Sequence, residues 1–152
     1  MRIRAGIVLI KEDKVALIER YRAGFHYYLF PGGGVDDDET VEQAAIRETM
    51  EELGIEVVIK QKVAEVQLGQ RSRQIYFLVE QTGGEFGTGT GEEFVESNSD
   101  NPQKGIYIPM WMPIEELPQH GNIYPPEIAR LVLRAVKEGW PQTPTVTFEE
   151  PK

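Results

Sequence analysis

The sequence predicts an α+β domain, and three patterns support that class. Short runs of β-branched and aromatic residues recur through residue 112, one helical segment interrupts them after a glycine turn, and a second helical stripe follows near the end. The chain has 152 residues, the ordinary size of one domain with a complete core, so 1–152 reads as a single unit.

Residues 3–10 (IRAGIVLI) are apolar and β-branched, Lys11-Glu12-Asp13-Lys14 break the run, and Val15-Ala16-Leu17-Ile18 resume it. Two such runs across a polar turn predict an antiparallel hairpin. Residues 27–30 predict a short strand that delivers the chain to Pro31-Gly32-Gly33-Gly34, where a sharp change of direction is expected. Thr40 and Gln43 have the spacing of a capping box, so a helix is expected from there to about Leu53, with Gly54 at its exit.

Residues 57–66 and 74–80 predict strands, the second from its aromatic and β-branched content. Between 81 and 105 the chain is rich in Gly, Ser, Thr, Asn and acid. A lid, a binding loop or an added hairpin explains a connection of this length, and so does a tolerated surface insertion. Residues 106–112 predict another strand and 113–117 a short turn or helix. Pro126 opens the last helix, in which Ile128, Leu131, Val132, Ala135 and Val136 form a packing stripe before Gly139. Residues 146–148 read as a small edge strand.

Sixteen Lys and Arg against 25 Asp and Glu give a formal charge of -9, with no long basic tract. This balance argues against a nucleic-acid polymer as partner. It leaves small phosphorylated molecules open, because a bound cation reverses the local field. The absence of Cys excludes disulfides, thiolate chemistry and Cys-based metal sites. No signal peptide or spanning segment is expected, since Lys11, Glu12 and Asp13 interrupt the N-terminal apolar run. The corresponding expectation is a cytoplasmic protein without a membrane partner; a homodimer is left open.

The chemistry concentrates in the first helix. Glu48, Glu51 and Glu52 are related by three and four residues, so they share a face and can converge on a metal ion. Carboxylate oxygens suit Mg2+ or Mn2+, which also favour phosphate oxygens. Val41, Ala44 and Ala45 lie on or beside the acid face and leave access to it, while Ile46, Met50 and Leu53 form the stripe expected to bury. Arg47 stands four residues before Glu51 and is placed to orient it or to contact substrate phosphate. Glu39 sits at the N-terminal side of the helix, where negative charge is favourable, and reads as a supporting or outer metal group.

The arrangement from Gly33 through Glu39, Arg47-Glu48 and Glu51-Glu52 to Gly54-Ile55 resembles the signature of the Nudix (MutT-like) hydrolase family. Thr49 stands where the family usually has an aliphatic residue, and Asp38 where many members have Gly. The resemblance implies a mixed β-sheet sandwiched between helices and Mg2+-dependent hydrolysis of a nucleoside diphosphate linked to another group, possibly a nucleoside triphosphate. It makes Glu48, Glu51 and Glu52 the metal-binding acids, Arg47 their orienter, and Gly33, Glu39 and Gly54 structural support. Family members often recruit a further acid from a later loop; Glu92, Glu93 and Glu96 are candidates, and Glu93 is preferred. The opposing function is a noncatalytic nucleotide- or protein-binding domain of the same kind.

Around this centre, Arg20, Arg22 and Arg73 are candidates to offset the charge of a nucleotide-like substrate. Tyr27, Tyr28 and Phe30 precede the glycine turn, and Tyr28 is taken as the ring that stacks on a base. Tyr107 and Trp111 read as strand packing. His26 and His120 are far apart in sequence and lack zinc-ligand spacing. No P-loop, dinucleotide fingerprint or nucleophile elbow is present.

Overall fold

The computed structural model describes residues 2–88 and 105–149. Strands β1 (Arg2–Lys11) and β2 (Lys14–Arg22) form the expected hairpin, turning at Glu12-Asp13 and pairing through Ile10–Val15 and Lys11–Lys14. Beyond those pairs the strands part. From Ile18 onward β3 (Phe25–Leu29) pairs with β2, and β4 (Gly32–Gly34) pairs with β1 through Arg4–Gly34, Ala5–Gly33 and Gly6–Gly32. Phe30-Pro31 therefore carries the chain across a wedge between two half-sheets, and the Ile7 amide donates to the Pro31 carbonyl there at 2.9 Å.

The first half-sheet continues from β1 to β6 (Ser72–Gly84), β5 (Ile55–Leu68) and β9 (Thr145–Glu149). The second joins β2 and β3 to β7 (Ile106–Pro113) and β8 (Ile123–Tyr124). The β1–β6, β3–β8 and β5–β9 pairs are parallel and the others antiparallel, so the sheet is mixed. A 3-10 helix (Ile114–Gln119) and the helices α1 (Val41–Leu53) and α2 (Pro126–Glu138) complete the described elements.

Alternation along β1 divides the core. Ala5, Ile7 and Leu9 pack in one layer with Ala44, Ala45 and Leu53 of α1, whereas Val8 packs in the other with Ile128, Leu131 and Val132 of α2. The helices thus cover opposite faces, which is the mixed sheet between helices that the family resemblance implies. The ends of α1 form as expected. Thr40 Oγ1 accepts from the Gln43 amide at 3.1 Å, Gln43 Oε1 accepts from the Thr40 amide at 2.8 Å, and Gly54 closes the helix at φ 77°.

Several expectations are corrected. Strands β5 and β6 are longer than predicted because they pair along almost their whole length, from Ile55–Gly84 to Leu68–Ser72. Residues 81–84 consequently belong to a strand and not to the polar connection, of which 89–104 lie outside the described residues. The Gly32–Gly34 run is itself a strand. A side chain at Gly32 would meet the backbone of Ala5 and Gly6, so only glycine permits this approach. The stripe assigned to burial on α1 is also wrong in part: Ile46 and Met50 are 39% and 38% exposed, while Ala44, Ala45, Glu48, Thr49, Glu52 and Leu53 are buried. Small residues let the helix sit close to β1 and β4, which turns the acid face inward.

On β5, buried Glu65 accepts from Arg73 at 2.8 Å, Lys62 at 3.0 Å and Gln67 at 2.7 Å. The Arg73 guanidinium, then Gln67 and Lys62, outweigh the burial that opposes ionisation and hold the Glu65 carboxyl down to about 2. An unfolded glutamate titrates near 4.3, so the folded value lies below it, and the ionised group stabilises the fold above about pH 4. That contribution is lost as the pH falls from about 4 toward 2. Thermal midpoints recorded across this window should fall for the native chain and vary less for Glu65→Gln; parallel curves would rule out the assignment.

Candidate active site

Arg47 is the junction of the site. Its Nη2 and Nε donate to the two carboxylate oxygens of Glu39 at 2.6 and 3.1 Å, its Nη1 to Glu48 at 2.9 Å and Glu51 at 3.1 Å, and Nη2 also reaches the Gly34 carbonyl at 3.0 Å. One planar guanidinium thereby joins the glycine strand, the turn before α1 and two acids of the helix. Glu39 also accepts from the Asp36 amide at 2.9 Å. Arg47 first, and then that amide, hold the Glu39 carboxyl below the usual carboxylate range. In return Glu39, assisted by Glu48, pushes the Arg47 guanidinium further toward its charged form.

Glu48 and Glu52 are buried, at 8% and 4% exposure, against the glycine strand. A Cβ at Gly33 would lie within 2.5 Å of both Glu48 carboxylate oxygens, so the missing side chain is the space that Glu48 fills. Glu52 Oε1 accepts from the Gly32 amide at 2.9 Å, and its Oε2 accepts from the Tyr107 hydroxyl. Thr49 is buried as well, and its hydroxyl donates to the Ala45 carbonyl one turn back at 2.7 Å. Thr is thus accommodated where an aliphatic residue is usual. Among the described residues positive φ outside glycine is confined to Glu12 and Ala23, so Asp38 occupies ordinary backbone.

These groups fit a hard divalent cation in donor chemistry: Glu48 and Glu52 bring carboxylate oxygens to one buried helix face, and Glu51 stands at its rim. Among the described residues no three acids converge into a closed ligand cluster. Glu51 turns to Arg47 and Glu52 to Gly32 and Tyr107.

The remaining candidates divide. Arg20 joins the site through Tyr107, over whose ring its guanidinium lies 5.0 Å from the centroid, and its Nε has no hydrogen-bond partner among the described residues. Arg22 is exposed at the end of β2. Arg73 is committed to Glu65, so its proposed phosphate role is not supported by its contacts. Tyr28 is buried in the α2 layer, away from the acid face, between His26 and His120, with ring centroids 5.1 and 5.3 Å away. The two histidines, distant in sequence, both pack against that one ring. Glu92, Glu93 and Glu96 lie outside the described residues.

A cleft of about 340 Å³ opens beside the wedge, lined by Arg4, Phe30, Gln74, Tyr76, Tyr124 and Glu127 among others. Burial pushes the Tyr76 phenol up to about 12, so it stays protonated and donates to Gln74 at 2.8 Å.

Residues 1–132 match the family profile described as the NUDIX domain. The chain belongs to the Nudix family. Among similar proteins, an 8-oxo-dGTP diphosphatase from Proteus vulgaris is 41% identical over 61 residues, covering 38% of this chain and 53% of that protein. An RNA pyrophosphohydrolase from Aeromonas hydrophila is 49% identical over 55 residues, 36% of this chain and 30% of that protein. The match thus spans about half and about a third of these two relatives' lengths. A NUDIX hydrolase from Nitrosomonas europaea has the same fold, with TM-score 0.72 and 20% identity over 98% of this chain and 78% of that one. An ADP-ribose pyrophosphatase from Streptococcus suis gives TM-score 0.64 and 18% identity over 97% and 98%. Among the described residues of this Nudix chain, no helix is long and apolar enough to cross a membrane.

Sequence spacing groups Glu48, Glu51, Glu52 and Arg47 as candidates but does not point to Tyr107, whose hydroxyl reaches Glu52 from 55 positions away. Nothing local to Tyr107 signals that contact. Arg47→Ala should lower stability by about 1–3 kcal/mol, because buried acids lose a charged donor, and Arg47→Lys should restore less than half of it, lacking the fork. Urea unfolding of the three proteins measures this; equal stability of the Lys and Arg forms would contradict the fork's role.

Proposed function

We propose that the chain is a Mg2+-dependent hydrolase of a pyrophosphate bond in a nucleoside diphosphate derivative. The observation that carries this reading is the pair of buried carboxylates, Glu48 and Glu52, one helical turn apart against Gly32 and Gly33 and flanked by Arg47. An apolar role for that face is poorly served by two acids. A role in holding a cation against an anionic substrate uses both. The names of the two relatives, a diphosphatase and a pyrophosphohydrolase, describe the same bond chemistry.

In this reading Glu48, Glu51 and Glu52 hold Mg2+, or Mn2+ in its place. When bound, the cation supplies Lewis acidity toward the pyrophosphate oxygens and the attacking water. Arg47 aims Glu48 and Glu51 through its hydrogen bonds to both, and Glu39 keeps Arg47 in place. The Gly32 amide and the Tyr107 hydroxyl fix the rotamer of Glu52, so little reorganisation is left for the reaction. Water adds to phosphorus, its proton passes to a carboxylate of the site, and the bridging P–O bond breaks to release a phosphorylated product. Arg20 supplies positive charge beside the acids, where the scissile phosphates would lie. Glu93 is retained as the further acid.

Hydrolysis of a nucleotide panel with mass identification of both products tests the reaction. Turnover should require Mg2+ and cease with chelator. Glu52→Gln should lose about a hundredfold or more of kcat while its circular dichroism is unchanged. Ligand binding without phosphorylated products in the native chain would instead indicate a noncatalytic nucleotide-binding domain.

A further inference from the structure

Glu52 is gripped from both half-sheets. Its Oε1 accepts from the Gly32 amide of β4 at 2.9 Å, and its Oε2 accepts from the Tyr107 hydroxyl of β7. The Tyr107 ring is itself held. It belongs to the core layer of Ile18, Ala44 and Ala45, and Arg20, its cross-strand partner on β2, lays a guanidinium 5.0 Å from its centroid. Two residues earlier Gly105 has φ 75°, and a Cβ there would meet the Tyr21 carbonyl oxygen, so β7 enters its pairing close against β2.

The three acids therefore differ in freedom. Glu52 is buried and fixed at both oxygens, Glu48 fills the space that Gly33 leaves, and Glu51 stands at the rim, where Arg47 donates to one oxygen at 3.1 Å. Among the described residues no three acids converge into a closed cluster. Few protein oxygens on stiffly held carboxylates are poor partners for Ca2+, which takes about six to eight ligands at about 2.3–2.6 Å and favours flexible ones. They suit Mg2+, which keeps several waters and demands a near-octahedral shell at about 2.0–2.1 Å.

We infer that Tyr107 is a selectivity residue of the site: by holding Glu52 rigid it makes the acids prefer Mg2+ to the larger Ca2+. This rests on the reading of Glu48, Glu51 and Glu52 as the metal-binding acids of a pyrophosphate hydrolase. Removing the hydroxyl loosens Oε2, and a carboxylate that can turn about its last bond meets the longer distances and the bidentate grip that Ca2+ accepts. Arg20 acts one step further out, since the ring that it steadies carries the hydroxyl. A part in stability alone predicts something else. Loosening the fold or changing the local charge weakens two divalent ions alike and leaves their ratio where it was.

Mn2+ serves as the probe. Its electron paramagnetic resonance signal, followed without substrate in the native chain, Tyr107→Phe, Arg20→Gln and Glu52→Gln, is titrated with Mg2+ and with Ca2+ to give the two dissociation constants. Glu52→Gln identifies the signal that belongs to this site. The native chain should prefer Mg2+, Tyr107→Phe should shift the ratio about tenfold toward Ca2+, and Arg20→Gln should shift it partway. Circular dichroism checks each fold, and Arg20→Gln decides in its place if Tyr107→Phe does not fold. A native preference for Ca2+, or a ratio that Tyr107→Phe leaves unmoved, overturns the role of Tyr107 and leaves the hydrolase reading intact. Mn2+ binding without turnover of any nucleotide sinks the hydrolase reading, and the ratio then decides the role of Tyr107 alone. A native chain that takes up none of the three ions overturns both.

Discussion

The site depends on one guanidinium. Glu39, Glu48 and Glu51 come from a turn and a helix, and each would repel the others if left to water and to one another. Arg47 donates to all three and to the Gly34 carbonyl, so the strand, the turn and the helix are fixed by the same planar group. Individually such pairs contribute little where solvent reaches them. Together they set the angle at which α1 meets β4, and that angle decides where the carboxylates of Glu48 and Glu52 lie.

The second constraint is the absence of side chains. Gly32 permits the backbone to lie on Ala5 and Gly6, and Gly33 leaves the space that the Glu48 carboxylate occupies. At Gly6 a Cβ would overlap the ring of Tyr76, so the same economy operates on the opposite face of β1. Burying acids normally carries a large desolvation penalty. Here the glycine backbone offsets part of it, since the Gly32 amide that the close approach exposes is the one that donates to Glu52.

Local chemistry was legible in the sequence, and long-range chemistry was not. The capping box at Thr40, the left-handed exit at Gly54 and the three- and four-residue spacing of the acids are properties of consecutive residues, and each appears where its pattern placed it. The buried face of α1 was misread because hydrophobicity alone assigned Ile46 and Met50 to the core, whereas small residues and compensated acids make the closer contact. The sequence does not foretell the surroundings of Arg73 and Tyr28, because sheet pairing sets Glu65 beside the one and directs the other into the opposite layer. Tyr107 could not be found at all from its neighbours, because its partner is supplied by register.

The parting of β1 from β2 after two residue pairs has a consequence for how this chain meets ligands. The cleft beside Tyr76 borders the wedge that the parting creates, and residues from β1, β3, β5, β6 and β8 contribute to its walls. Recesses made by diverging strands are shaped when the chain folds, so a ligand need not spend association free energy on ordering them. Positions such as Arg4 and Gln74 project from that frame without setting its backbone path. Selectivity can accordingly drift by exchange of single side chains while the acid helix, held from the other direction, keeps its geometry.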